Sequence, residues 1–175
     1  MSELQDGIFW EELKSGRFAS MVKEASKGQS LSNSREVYNI MKPMFAENDD
    51  IEEIYCIFLD AKNKIIAIEK MFSGSLTASA VYTRELAKRI LKTKASSFVL
   101  VHNHPSGDTN PSMEDKAITM KVGIAAASID VSFHDHIIIG DGYHSMADNG
   151  WLKKVSSRFS NLLKSAQLLK GGNDA

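Results

Sequence analysis

Residues 98–115, Phe-Val-Leu-Val-His-Asn-His-Pro-Ser-Gly-Asp-Thr-Asn-Pro-Ser-Met-Glu-Asp, decide how the rest of this chain is read. Phe98 to Val101 is a short continuous apolar run, the pattern of a strand covered on both faces. Such a strand delivers His102 and His104 at its carboxyl end. Residues two apart in a strand share a side and lie ~7 Å apart along the chain, so both imidazoles reach one ion while Asn103 points away. Pro105, Gly107 and Pro111 stiffen and turn the loop that follows. Ser112-Met113-Glu114-Asp115 then has the form of a helix start, with Ser112 capping the first amides and Asp115 in the first turn. A helix N-terminus also keeps a carboxylate ionised and aimed, which a metal ligand requires. His102, His104 and Asp115 are therefore the expected ligands, with Asp108, Glu114 and Asp135 as competitors for the third place.

Two neutral imidazoles and one carboxylate suit a single Zn2+, and three protein ligands leave a position for water, as in catalytic sites. A structural zinc site wants a fourth protein ligand, usually cysteine, and Cys56 is the only cysteine present. Of the remaining histidines, His134, His136 and His144, which could in principle close the site, His136, which follows Asp135, is expected outside the ligand set, as a partner of it. Hydrolysis further needs a base that is not itself a ligand. Glu69 is the expected base, because it interrupts the apolar strand Ile65-Ile66-Ala67-Ile68, where a carboxylate is costly unless exposed or employed. The competing reading is an edge-strand charge paired with Lys70. The Ser112 hydroxyl is the expected second donor to a developing oxyanion, in competition with its capping role. Ser106, after Pro105, reads as a turn residue.

Outward from this block, Ile54 to Leu59 and Ile65 to Met71 read as two antiparallel strands joined by the turn residues 60–64. Leu86, Ala87, Ile90 and Leu91 recur with helical period, opposite Lys88, Arg89, Lys92 and Lys94. A helix from Ser112 to about Ala127 precedes short strands at 129–133, 137–139 and 143–146, punctuated by Asp135-His136 and Gly140-Asp141-Gly142. The fold class is thus α/β, a mixed sheet flanked by helices. Ser32-Asn33-Ser34 caps an earlier helix whose stripe, Val37, Ile40, Met41 and Met44, ends near Pro43 and the acidic loop 47–50. Residues 1–30 form a helical extension, with Ile8, Phe9, Leu13, Met21 and Val22 at loosely helical spacing. Residues 153–175 form a basic amphipathic helix ending in the Gly171-Gly172 tail.

With 175 residues, 43% apolar and 25% charged, the chain suits one domain with a sizeable core, here residues 31–152. A formal net charge of −1 gives no whole-chain attraction to nucleic acid or an anionic membrane. Cys56 lies in an apolar run and reads as a buried thiol of a reducing compartment. No apolar run approaches ~18 residues and the first twenty residues are rich in charge, so a cytoplasmic location without a membrane span is expected.

Glu69, the pair in HNHP, Ser112 and Asp115 together resemble the JAMM (MPN+) metalloprotease motif of E, then HxHP, then SxxD. More closely, MFSGSL with VYTREL, ASSFVLVHNHPSGDTNPSMEDK and DHIIIGDGYHSMADNGWL are similar to the RadC branch of that superfamily, over about residues 31–152. The resemblance implies zinc on His102, His104 and Asp115, an acid/base role for Glu69, oxyanion assistance from Ser112, and a cytidine-deaminase-like α/β sandwich. Two departures stand out. The family commonly carries an N-terminal helix-hairpin-helix region, and the fifty or so residues before the first strand show none. Its frequent His-Pro-Arg-Glu segment appears as Tyr82-Thr83-Arg84-Glu85.

The reading that follows is a zinc metallopeptidase acting on peptide or isopeptide bonds of a peptide or protein substrate, with zinc-bound water activated by a glutamate. A rival of another class is a DNA-repair-associated or scaffolding module that keeps the site without proteolysis. The basic faces at Arg84–Lys94 and Lys153–Lys170 motivate that rival. The exposed apolar stripe of the last helix points to a partner or homodimer contact.

Overall fold

Two amphipathic helices, α1 (Arg17–Ser26) and α2 (Ser34–Phe45), precede the first strand and bury Ala19, Val37, Met41, Met44 and Phe45. The computed structural model describes residues 15–45, 50–74 and 83–170. The helical pattern around Ile8, Phe9 and Leu13, most of the acidic loop, Ser75, Tyr82 and the Gly171-Gly172 tail lie outside the described residues. Pro43 does not end α2, which continues to Phe45. Burial of Met44 and Phe45 against the sheet offsets the backbone hydrogen bond that the proline removes.

The expected hairpin forms as β1 (Glu53–Leu59) and β2 (Ile65–Ser73), antiparallel, with Asp60 accepting from the amides of Lys62 and Lys64 across the turn. Helix α3 (Thr83–Thr93) leads to β3 (Ser97–Asn103), which pairs antiparallel with β1 and parallel with β4 (Ser132–Gly140) through the crossover helix α4 (Met113–Ala127). A short strand, β5 (Gly142–Ser145), turns back on β4. The result is an α/β fold with a five-stranded mixed sheet, order β2-β1-β3-β4-β5, packed against helices.

β1 and β3 are buried at every position, as continuous apolar runs in the middle of a sheet should be. Their alternate side chains feed two cores. Tyr55, Ile57, Leu59, Val99 and Val101 meet α1 and α2 on one face. Ile54, Cys56, Phe58, Phe98 and Leu100 meet α3 and α4 on the other. The last helix, α5 (Trp151–Lys170), packs on α4 where Gly123 leaves room: a Cβ there would sit 2.4 Å from Val155 Cγ1. Leu162 and Leu163 farther along α5 are half exposed.

One element differs from the expected order. Asp135-His136 was expected to punctuate two strands, but both residues lie inside the single strand β4 and are buried. Their polar groups are answered by tertiary partners. Asp135 accepts from the amides of His136 and Ala147 and from the Ser145 hydroxyl. The His136 ring meets His102 and Thr119.

Candidate metal centre

The carboxyl end of β3 and the amino end of α4 meet at one point. His102 and Asp115 are 0% and 1% exposed, and His104 only 11% by side chain. His102 Nε2 lies 3.1 Å from Asp115 Oδ1, His104 Nε2 lies 3.3 Å from Asp115 Oδ2, and the two Nε2 atoms are 2.9 Å apart. One ligand atom from each of the three residues falls within 4.8 Å of the others, close enough to hold one metal ion. Two imidazole nitrogens and a carboxylate oxygen facing one another form a donor set that fits zinc.

Electrostatics favours a cation here. Burial alone would push the Asp115 carboxyl up, but hydrogen bonds from His102 and His104 outweigh it and hold the group well below the usual carboxylate range. Its hydrogen bond to Asp115 in turn raises His104 above the ordinary histidine value. The capping box anticipated at Ser112 is present, and it does two jobs. Asp115 Oδ2 accepts from the Ser112 amide at 2.8 Å and its hydroxyl at 2.7 Å, while the Asp115 amide donates back to Ser112 Oγ at 3.0 Å. The carboxylate is thereby oriented by the same contacts that start the helix.

His104 is oriented from the loop. Its Nδ1 lies 2.6 Å from the carbonyl oxygen of Asp108, and since a carbonyl carries no proton, Nδ1–H is the donor and Nε2 is the atom turned to Asp115. The loop itself is clipped to β4: the His104 amide donates to the Ile139 carbonyl, and the Asp141 amide to that of Gly107. Asn103 does point away from the ligands, as its place between the histidines requires. Its side chain brackets Glu52, accepting from the Glu53 amide at 2.7 Å and donating to the Ile51 carbonyl at 2.9 Å.

A cleft of about 520 Å³ opens over the ligands, bordered by Glu52, His104, Ser106, Asp108, Ser112 and Asp115 among others. Of the sequence-derived site residues, the structure brings His102, His104, Asp115 and Ser112 together. It does not bring Glu69 to them. Glu69 stands opposite Cys56 on β2, two strands across and two residues along from His102, about 12 Å by ordinary strand spacings. There it is ion-paired with Arg89 of α3 at 2.7 Å, rather than with Lys70. Lys70 instead pairs with buried Glu53.

Glu52, Asp108 and Glu114 are the carboxylates that border the cleft outside the candidate ligands, and of these Glu52 is the one whose charge acts on His104. The sequence reading did not single it out; it lies between the acidic loop 47–50 and the strand expected from Ile54. The available signal was long-range: β1 pairs antiparallel with β3, Ile54 against His102, so the residue two before Ile54 emerges at the ligand end of β3.

Among the competitors for the third ligand, Asp108 contributes only its carbonyl, through His104, and Glu114 borders the cleft without joining the cluster. Asp135 serves its own strand, and burial pushes its carboxyl up to about 6. His134 contacts Asn63 at 3.0 Å, in the turn between β1 and β2. His144 sits on β5, opposite Ile138, and burial lowers its affinity for a proton.

Comparison with known proteins agrees with this geometry. A family model described as a RadC-like JAB domain matches residues 31–151. A UPF0758 protein of Pseudomonas fluorescens is 37% identical over 133 residues, covering 75% of this chain and 59% of that protein. One from Methanosarcina mazei is 39% identical over 138 residues, 78% of this chain and 59% of its own length. One from Azotobacter vinelandii is 45% identical over 133 residues, with coverage of 75% and 59%. The chain thus spans about three fifths of the length of the curated relatives it matches.

Proposed function

The chain belongs to the RadC-like JAB domain family, and from that premise we propose that it is a zinc-dependent hydrolase of peptide or isopeptide-type bonds. The observation that carries this reading is the convergence of His102, His104 and Asp115 beneath an open cleft. When bound, the ion supplies a Lewis acid that acidifies water and polarises an acyl oxygen. His102, His104 and Asp115 hold it, and Ser112 keeps the Asp115 carboxylate turned toward it.

Glu52 is the base of this reading. Its carboxylate accepts the proton of the attacking water and returns it to the leaving amine, a task that requires a non-ligand carboxylate bordering the same cleft. Asn103 fixes the backbone on both sides of it. Ser112 donates its hydroxyl proton to Asp115 Oδ2, so stabilising an oxyanion requires that hydroxyl to turn away from the ligand. The sheet order and the position of the site at a strand end support the cytidine-deaminase-like architecture that the family resemblance implies.

Elemental analysis beside a hydrolysis assay tests the reading. Wild type and Glu52→Gln carry about one zinc per chain, His104→Ala carries none, and metal-dependent cleavage of peptide or isopeptide substrates is seen only in wild type. Equal metal content in all three proteins overturns the ligand assignment. Cleavage retained by Glu52→Gln overturns the base.

A further inference from the structure

Behind His102, on the side away from the cleft, side chains from three elements form a buried line. His102 Nδ1 lies 2.8 Å from His136 Nε2 of β4. His136 Nδ1 lies 2.7 Å from Thr119 Oγ1 of α4. Thr119 Oγ1 lies 2.6 Å from the backbone carbonyl of Asp115, one turn earlier in the same helix. His102, Thr119 and His136 are each 0% exposed.

Proton positions along this line follow from its far end. A carbonyl has no proton to give, so the single hydroxyl proton of Thr119 lies on the Asp115 carbonyl. Toward His136, Thr119 Oγ1 is then an acceptor, and His136 Nδ1 must carry the proton between them. His136 is a fully buried ring facing only an imidazole and a hydroxyl, surroundings that disfavour a charge, so its Nε2 is bare. A bare His136 Nε2 requires the proton of the next contact to sit on His102 Nδ1. The remaining nitrogen, His102 Nε2, faces Asp115 and His104 and is the one open to a metal ion.

We propose that Thr119 and His136 are positioning residues that hold His102 in the Nδ1–H tautomer, presenting its Nε2 lone pair to a metal ion. Metal-binding histidines ordinarily donate their second N–H to a carboxylate, a backbone carbonyl or water. Here a neutral imidazole takes that place, and the line returns through Thr119 to the backbone of Asp115. Two ligands on separate elements are thus tied to each other on the protein side as well as across the ion. The consequence for metal affinity rests on the metal-binding reading above; the tautomer itself does not.

Nitrogen-15 NMR of the imidazoles in the metal-free wild-type protein reads the tautomer directly. The expected result is a proton on Nδ1 of both His102 and His136 and none on Nε2 of His136. A bare Nδ1 on His102, or a proton on Nε2 of His136, overturns the proposal, and this readout decides it even if the wild-type protein binds no zinc. Zinc affinity by chelator competition gives the second arm. Thr119→Val, which keeps the shape and removes the hydroxyl, weakens binding by about 10- to 100-fold, while Thr119→Ser stays within about threefold of wild type. Wild-type affinity in Thr119→Val, or equal weakening in both variants, overturns the role given to the hydroxyl.

Discussion

Arg89 Nη1 stands 2.7 Å from Glu69 Oε2, an ion pair joining α3 to β2 on the His102 face of the sheet but outside the ligand cleft. Its partners are 37% and 35% exposed, so solvent screens the pair and it contributes under about 1 kcal/mol. Glu69→Gln is therefore expected to keep zinc, to keep kcat within about twofold and to cost less than about 1 kcal/mol in urea unfolding. Glu52→Gln is expected to keep zinc and lose at least about 100-fold in kcat. A hundredfold loss in Glu69→Gln at full zinc content would return the base to Glu69.

The amide of Asn103 bridges Ile51 and Glu53, and this has two separable effects. Asn103→Ala leaves the buried Glu53 amide without that acceptor, at about 1–3 kcal/mol of stability. It also frees the backbone that carries Glu52, and a shift near 1 Å costs up to about 100-fold in kcat. Zinc content should not change. Steady-state kinetics beside elemental analysis checks this, and loss of zinc in Asn103→Ala would show that the residue supports the ligands instead.

At Gly140 the backbone of β4 touches that of the ligand loop: a Cβ would sit 2.3 Å from the Gly107 carbonyl oxygen. Neither partner is a flexible side chain, so Gly140→Ala must displace one backbone from the other, at about 1–3 kcal/mol. A fall in Tm of roughly 3–10 °C is expected by calorimetry. An unchanged Tm would mean that the loop is held more loosely on β4 than the clip at Asp141 implies.

Asp135 gives a pH signature to stability. Its carboxyl titrates near 6 in the folded protein, against 3.8 for an unperturbed aspartate, because burial disfavours the charged form. Between those values the folded state binds more protons than the unfolded state, so this group's contribution declines as pH rises from about 4 to 6. The shift corresponds to roughly 3 kcal/mol. Wild type should therefore lose ground against Asp135→Asn when unfolding free energies are measured at pH 4, 5, 6 and 7. A wild-type advantage that grows over that interval would contradict the assignment.

The candidate metal cluster was legible in the sequence because its members are set by local rules. Strand alternation puts His102 and His104 on one side, and helix capping fixes Ser112 and Asp115. Glu69 and Glu52 could not be sorted in that way. Both are acidic residues near apolar strands, and which of them borders the cleft depends on how β1 pairs with β3 and where α3 places Arg89. Asp135-His136 misled for a related reason. Two polar residues between apolar runs look like a turn until Ser145, Ala147, His102 and Thr119 arrive from elsewhere to answer them.

By itself, then, the sequence determined the α/β class, the three candidate ligands and the helix start that aims one of them, since each rests on strand alternation or helix capping within a short stretch. Tertiary structure alone decided the carboxylate beside the cleft, the clamp of Asn103 on its backbone and the buried line from Thr119 to His102. Those rest on pairing between segments as much as 52 residues apart, as for Asn103 and Ile51. No local periodicity encodes such pairings; they appear only when sheet register and helix packing bring distant polar groups out of water and oblige each to find a partner.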